Sequence, residues 1–128
     1  MENRTYKVLL VEDDRFLRKA ADTALRERGY TVLTAADGDE ALQSARTERP
    51  DLILLDLIMP RMHGYEVLRI LKTDPQMATV PVIVLTNLGQ DSDKKAATEA
   101  GAADYLIKSS LRLEDLTKRV DKVLAGSR

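Results

Sequence analysis

Val8-Leu9-Leu10-Val11-Glu12-Asp13-Asp14 is a continuous aliphatic run that ends abruptly in three acids. An apolar run this short, with no polar alternation, reads as a strand buried on both faces, as parallel sheets require. The same figure recurs twice. Leu52-Ile53-Leu54-Leu55 is closed by Asp56, and Val82-Ile83-Val84-Leu85, introduced by Pro81, is closed by Thr86-Asn87. Thr31-Val32-Leu33-Thr34 is short and part polar, as an edge strand would be, and Tyr105-Leu106-Ile107-Lys108 supplies a fifth strand.

Between these runs the apolar period changes from continuous to helical. Phe16, Leu17, Ala20, Ala21, Ala24 and Leu25 mark a first helix, with Gly29 where a C-cap would end it. Asp37 followed by Glu40 resembles a capping box for a second helix carrying Ala41, Leu42 and Ala45. Val67, Leu68 and Leu71 mark a third that stops before Pro75. An alanine-based helix with Ala96, Ala97 and Ala100 ends at Gly101, and an amphipathic one runs through Leu113, Leu116, Val120, Val123 and Leu124. Strand and helix alternate five times. The expected fold is α/β, a (βα)5 doubly wound five-stranded parallel sheet. Its polar second strand suits the order 2-1-3-4-5. Residues 1–128 read as a single domain.

Composition narrows the function. With 44% hydrophobic residues the chain buries a real core, and its net charge of −1 argues against coating nucleic acid or an anionic membrane. Cysteine is absent and histidine occurs once, which excludes disulfide scaffolds, thiolate metal sites and multi-histidine centres. No apolar run approaches the roughly 20 residues of a membrane span, and the N-terminus does not read as a signal peptide. A cytoplasmic protein is expected.

In an open parallel sheet, ligands bind beyond the carboxyl ends of the strands, where strand order reverses. That rule gathers Glu12, Asp13 and Asp14 from the first strand, Asp56 from the third, Thr86 from the fourth and Lys108 from the fifth. Crowded carboxylates repel, and one lysine is too little charge to balance them. An all-oxygen set with water and phosphate to complete it suits Mg²⁺. Neither GxGxxG nor GxxxxGK[ST] occurs, and the acidic first loop would repel a phosphate arriving without metal. Asp56 with a metal, a hydroxyl and a lysine is equipped to become an acyl phosphate. An aspartyl phosphatase would carry a second acid two residues on. Here that residue is Ile58, so turnover of an external substrate is not expected and the protein reads as no enzyme in that sense.

Four segments together resemble the receiver domain of two-component response regulators, in its stand-alone, chemotaxis-regulator-like form. They are Val-Leu-Leu-Val-Glu-Asp-Asp at 8–14, Asp-Leu-Ile-Leu-Leu-Asp-Leu-Ile-Met-Pro at 51–60, Val-Ile-Val-Leu-Thr at 82–86 and Gly-Ala-Ala-Asp-Tyr-Leu-Ile-Lys at 101–108. The resemblance covers essentially the whole chain and implies a flavodoxin-like fold. By position it implies Asp56 as phospho-acceptor, with Mg²⁺ held by Glu12, Asp13, Asp56 and the backbone carbonyl of Ile58. It implies that Thr86 and Lys108 grip the phosphoryl group, and that Thr86 and Tyr105 form the switch. The partners it implies are a histidine kinase or phosphotransfer protein, and then a downstream effector or a homodimer through the 90–124 face. Direct contact with nucleic acid or membrane is not implied.

Plainer readings stand beside these. Asp14 and Thr86 are ordinary helix-cap types, Lys108 an ordinary salt-bridge partner, Tyr105 ordinary packing and His63 an exposed loop residue. Arg112, Lys118, Arg119 and Lys122 make either a solvated face or part of the partner surface. Two positions depart from the family pattern. Ser109 stands where proline is usual, so a cis peptide is not expected there, and Asn87 stands where Ala or Gly is usual. With Ile58 and Leu88 apolar, a hydrolytic water would be poorly held and the phosphoryl state long-lived. The alternative function is a phosphorylation-independent pseudo-receiver that binds protein.

Overall fold

The computed structural model describes residues 5–59, 63–87 and 91–126. Leu88 and Pro60, both used in the reading above, lie outside the described residues. The elements follow one another as β1 (Lys7–Val11), α1 (Arg15–Glu27), β2 (Thr31–Ala35), α2 (Gly38–Glu48), β3 (Leu52–Asp56), α3 (Gly64–Thr73), β4 (Val82–Thr86), α4 (Asp91–Glu99), β5 (Asp104–Ile107) and α5 (Leu113–Gly126). The strands form one parallel five-stranded sheet in the order β2-β1-β3-β4-β5. The expected architecture is the one found.

Strand alternation divides the core into two layers. Leu9, Val11, Ile53, Leu55, Val82 and Val84 pack with Ala41 and Leu42 of α2, Val67 and Leu68 of α3 and Ala97 of α4. Val8, Leu10, Leu52, Leu54, Ile83 and Leu85 pack with Ala21 and Leu25 of α1 and Leu116, Val120 and Leu124 of α5. β1, β3 and β4 are therefore sealed on both sides, which is why their sequences show no polar alternation. Each such buried leucine contributes about 1.5–3 kcal/mol of burial free energy.

Local chemistry sets the helix ends. Asp14 Oδ1 accepts from Phe16 N at 2.9 Å and Leu17 N at 3.1 Å, so Asp14 is the N-cap of α1. Gly29, at φ +95°, follows the last turn in the left-handed conformation that glycine adopts without steric cost. Asp37 caps α2 as expected, but Glu40 reaches back to the N–H of Ala36, one residue before the N-cap. His63 is exposed, as its loop position suggested, and it also caps α3: its Nδ1 accepts from Tyr65 N at 3.3 Å.

Two boundaries differ from expectation. β5 runs Asp104–Ile107, not 105–108, because β4 ends at Thr86, whose lateral partner is Ile107. Lys108 has no ladder partner and opens a 3-10 turn at Lys108–Ser110. No peptide bond among the described residues is cis. α5 continues to Gly126, beyond Leu124.

Candidate acidic site at the C-terminal ends of the strands

β1 and β3 are neighbours, with Val11 opposite Leu55, so the residues that leave these strands emerge side by side. Glu12 and Asp56 both continue the parity of Leu10 and Leu54 and lie on the α1/α5 side of the sheet. Oxygens of Glu12, Asp13 and Asp56 lie within 4.8 Å of one another. Glu12 is fully buried and Asp56 is 1% exposed, whereas Asp13 faces solvent.

Lys108 closes the group from the far strand. Its Nζ donates to Asp56 Oδ2 at 3.0 Å and to Glu12 Oε2 at 3.1 Å. Asp14 N also donates to Glu12 Oε2, at 3.1 Å, and Ile58 N donates to Asp56 Oδ1 at 3.0 Å. The second oxygen of Glu12, Oε1, is buried without a hydrogen-bond partner. Burial pushes the Glu12 carboxyl up to about 7. The Asp14 N–H opposes that rise, and the negative charge of Asp56 adds to it. For Lys108, burial alone would lower the pKa, but its bonds to Asp56 and Glu12 outweigh this and hold it above the ordinary lysine value.

An orphaned buried carboxylate oxygen beside two further carboxylates, with oxygen as the only donor type, fits a hard divalent cation. One lysine shared by two buried acids leaves the cluster short of positive charge.

Thr86 and Tyr105 belong to the other side of the sheet. Thr86 is fully buried at the end of β4, one residue past Leu85, the lateral partner of Asp56. Tyr105 pairs with Val84 in the ladder and packs, half-buried, against the α2/α3/α4 layer. Ile58 is half-exposed beside Asp56, and Asn87 and Ser109 are exposed.

The sequence also profiles as "Response regulator receiver domain" over residues 8–121. The chain belongs to the response regulator receiver domain family. It is similar to protein PilH of Pseudomonas aeruginosa, at 35% identity over 94% of this chain and 98% of that protein. It is also similar to the response regulator MprA of Mycobacterium ulcerans, at 41% identity over 92% of this chain and 50% of that protein. The chemotaxis response regulator CheY4 of Vibrio cholerae superposes with TM-score 0.88 at 34% identity, covering 94% of this chain and 99% of that one. The chain spans about half the length of many curated relatives it matches, MprA among them. It is the receiver domain of a two-component response regulator, with the flavodoxin-like fold of that family. Receiver domains are signalling switches that interact with histidine kinases and downstream effectors, and the family binds Mg²⁺ at an acidic pocket.

Three features of this receiver domain's site escaped the sequence reading. Arg18 of α1 donates to the carbonyl of Glu12 at 2.8 Å and to that of Asp13 at 3.5 Å. Its place one turn into α1 was the available signal, because that turn stacks over the acidic loop. Gly64 lies against the segment leaving β3: its N–H donates to Leu57 O at 2.9 Å, and a Cβ there would meet Leu57 Cα at 2.3 Å. Glycine at the start of a helix was its only mark. The burial contrast between Glu12 and Asp13 had no sequence signal.

No helix among the described residues is long and apolar enough to cross a membrane.

Proposed function

We propose that residues 1–128 act as one phosphorylation switch, with Asp56 as the phospho-acceptor. A single arrangement supports this reading above the others: the Asp56 carboxylate stands between Lys108 at 3.0 Å and the carboxylates of Glu12 and Asp13. A solvated cap or turn aspartate has no need of a buried acid beside it, and such crowding costs stability unless it serves a site.

The donor is a phosphohistidine of a histidine kinase or phosphotransfer protein, or a small acyl phosphate. An Asp56 oxygen attacks phosphorus, the bond from phosphorus to the donor breaks, and the leaving imidazole or carboxylate keeps the electron pair. Lys108 is already cationic and sits on the acceptor carboxylate, so it is placed to offset charge on the transferring oxygens. Thr86 supplies a hydroxyl hydrogen bond to the phosphoryl group. Glu12, Asp13, Asp56 and the carbonyl of Ile58 would hold Mg²⁺, which would supply positive charge against the phosphoryl oxygens. With no second acid after Asp56 to activate an incoming substrate, the output is altered affinity for a partner through the 90–124 face. Movement of Thr86 and Tyr105, on the α4 side of the sheet, carries the signal there.

Intact mass after incubation with acetyl phosphate tests the reading. The expected result is one phosphoryl adduct that requires Mg²⁺ and disappears with chelator and in Asp56→Asn. A folded protein that gains no adduct, even from a competent histidine kinase, would leave the phosphorylation-independent pseudo-receiver as the function.

A further inference from the structure

Glu12 and Asp13 sit on a loop whose backbone is held from two sides. The N–H of Glu12 donates to Ala35 O at 3.0 Å, tying the loop to the end of β2. On the other side the guanidinium of Arg18 reaches back from α1, and its Nη1 binds the carbonyls of Glu12 at 2.8 Å and Asp13 at 3.5 Å. Asp14, between them and the helix, is spent on capping α1. Glu12 Oε2 is already taken by Asp14 N and Lys108, so where Oε1 and the Asp13 carboxylate point follows from the loop backbone.

We infer that Arg18 is a positioning residue, setting the divalent-cation affinity of the carboxylate cluster by fixing the backbone of Glu12 and Asp13. This rests on the metal site proposed above. Groups that orient ligands without touching the ion commonly change affinity by about 10–100-fold when removed. The sign of the effect separates this role from simple charge. A cation near the cluster repels Mg²⁺, so removing Arg18 would tighten binding if charge were its contribution. Removing it weakens binding if the guanidinium holds the loop in place.

Mg²⁺ is titrated calorimetrically into the wild-type chain, Arg18→Met and Arg18→Lys, with thermal unfolding in chelator to establish that each is folded. The expected result is a roughly tenfold or greater loss of Mg²⁺ affinity in Arg18→Met. Arg18→Lys, which keeps the charge but has a shorter side chain to bring a donor to the two carbonyls, falls between it and wild type. Equal or tighter binding in folded Arg18→Met overturns the assignment. If Arg18→Met does not fold, wild-type affinity in Arg18→Lys overturns it, because a charge without the placed Nη1 donor would then suffice. A folded wild type that takes no Mg²⁺ overturns the metal site itself and the Arg18 role with it, an outcome visible before any variant is compared.

Discussion

Lys108 and Asp56 are 52 residues apart in the chain, yet Lys108 Nζ lies 3.0 Å from Asp56 Oδ2. The same ammonium is 3.1 Å from Glu12 Oε2, so one cation holds two buried acids together. Such a cluster trades stability for chemistry. Its energetics are therefore open to measurement without any kinase.

Asp56→Asn should stabilise the metal-free protein. It removes one of two mutually repelling carboxylates, the charge of Asp56 being one cause of the raised Glu12 pKa. The expected gain is about 1–2 kcal/mol, the size of one pKa unit or slightly more of relieved repulsion. Lys108→Met should do the reverse and cost about 3 kcal/mol near neutral pH, because it leaves two buried acids unpaired. Urea unfolding in chelator checks both signs. Asp56→Asn less stable than wild type would contradict the account.

Glu12 makes stability pH-dependent. Its carboxyl titrates at about 7 in the folded chain against 4.5 for the ordinary group, so folding favours its protonated form. That contribution is fully present below about pH 4.5 and is lost as pH rises through about 7. The loss approaches about 3 kcal/mol at 1.36 kcal/mol per unit. Lys108, whose pKa is raised, stays charged throughout this window. Melting temperatures in chelator should fall across it for wild type and stay flatter for Glu12→Gln, and Mg²⁺ should restore the wild type most at the high-pH end.

Gly64→Ala and Gly29→Ala should separate close packing from backbone strain. A Cβ on Gly64 would lie 2.3 Å from Leu57 Cα and 2.7 Å from Asp56 O, and both are backbone atoms that cannot swing away. A loss of about 3 kcal/mol is expected, with a weakened site because the segment after Asp56 must shift. At Gly29 nothing lies within 4 Å, and only the φ of +95° opposes a side chain, so about 1 kcal/mol is expected. Chemical denaturation of the two variants gives the comparison.

Phosphoryl lifetime should depend on Ile58, which is half-exposed beside Asp56. An apolar side chain there gives an attacking water nothing to hold. The wild-type adduct should persist, and Ile58→Asn should shorten its life severalfold by holding water near phosphorus, about 1 kcal/mol of barrier. Timed intact-mass measurement after removal of the donor follows the decay, and rapid loss in wild type would contradict the expectation.

Continuous apolar runs of period one and intervening apolar positions at helical spacing made the fold readable. Val8–Val11, Leu52–Leu55 and Val82–Leu85 must be covered on both faces, and a chain of alternating strands and helices has few ways to do so. The ends of those strands also marked Glu12, Asp13, Asp56, Thr86 and Lys108, because the rim of a parallel sheet follows from topology. Local sequence went less far at boundaries: the end of β5 depends on where β4 stops, which is a property of the neighbouring strand.

Topology placed the acids on one rim, and only three-dimensional packing ranked them. Glu12 and Asp13 are adjacent acids, but one is fully buried with a carboxyl near 7 and the other is exposed. Asp14 became a cap, His63 capped α3, and Arg18 took hold of the loop that carries the acids. The two caps and the Arg18 contact span only two to six residues, whereas the ranking of the two acids depends on burial and on partners as distant as Lys108. Sequence periodicity encodes which side of an element a residue occupies; how far it is from water and from its neighbours' charges is decided by packing.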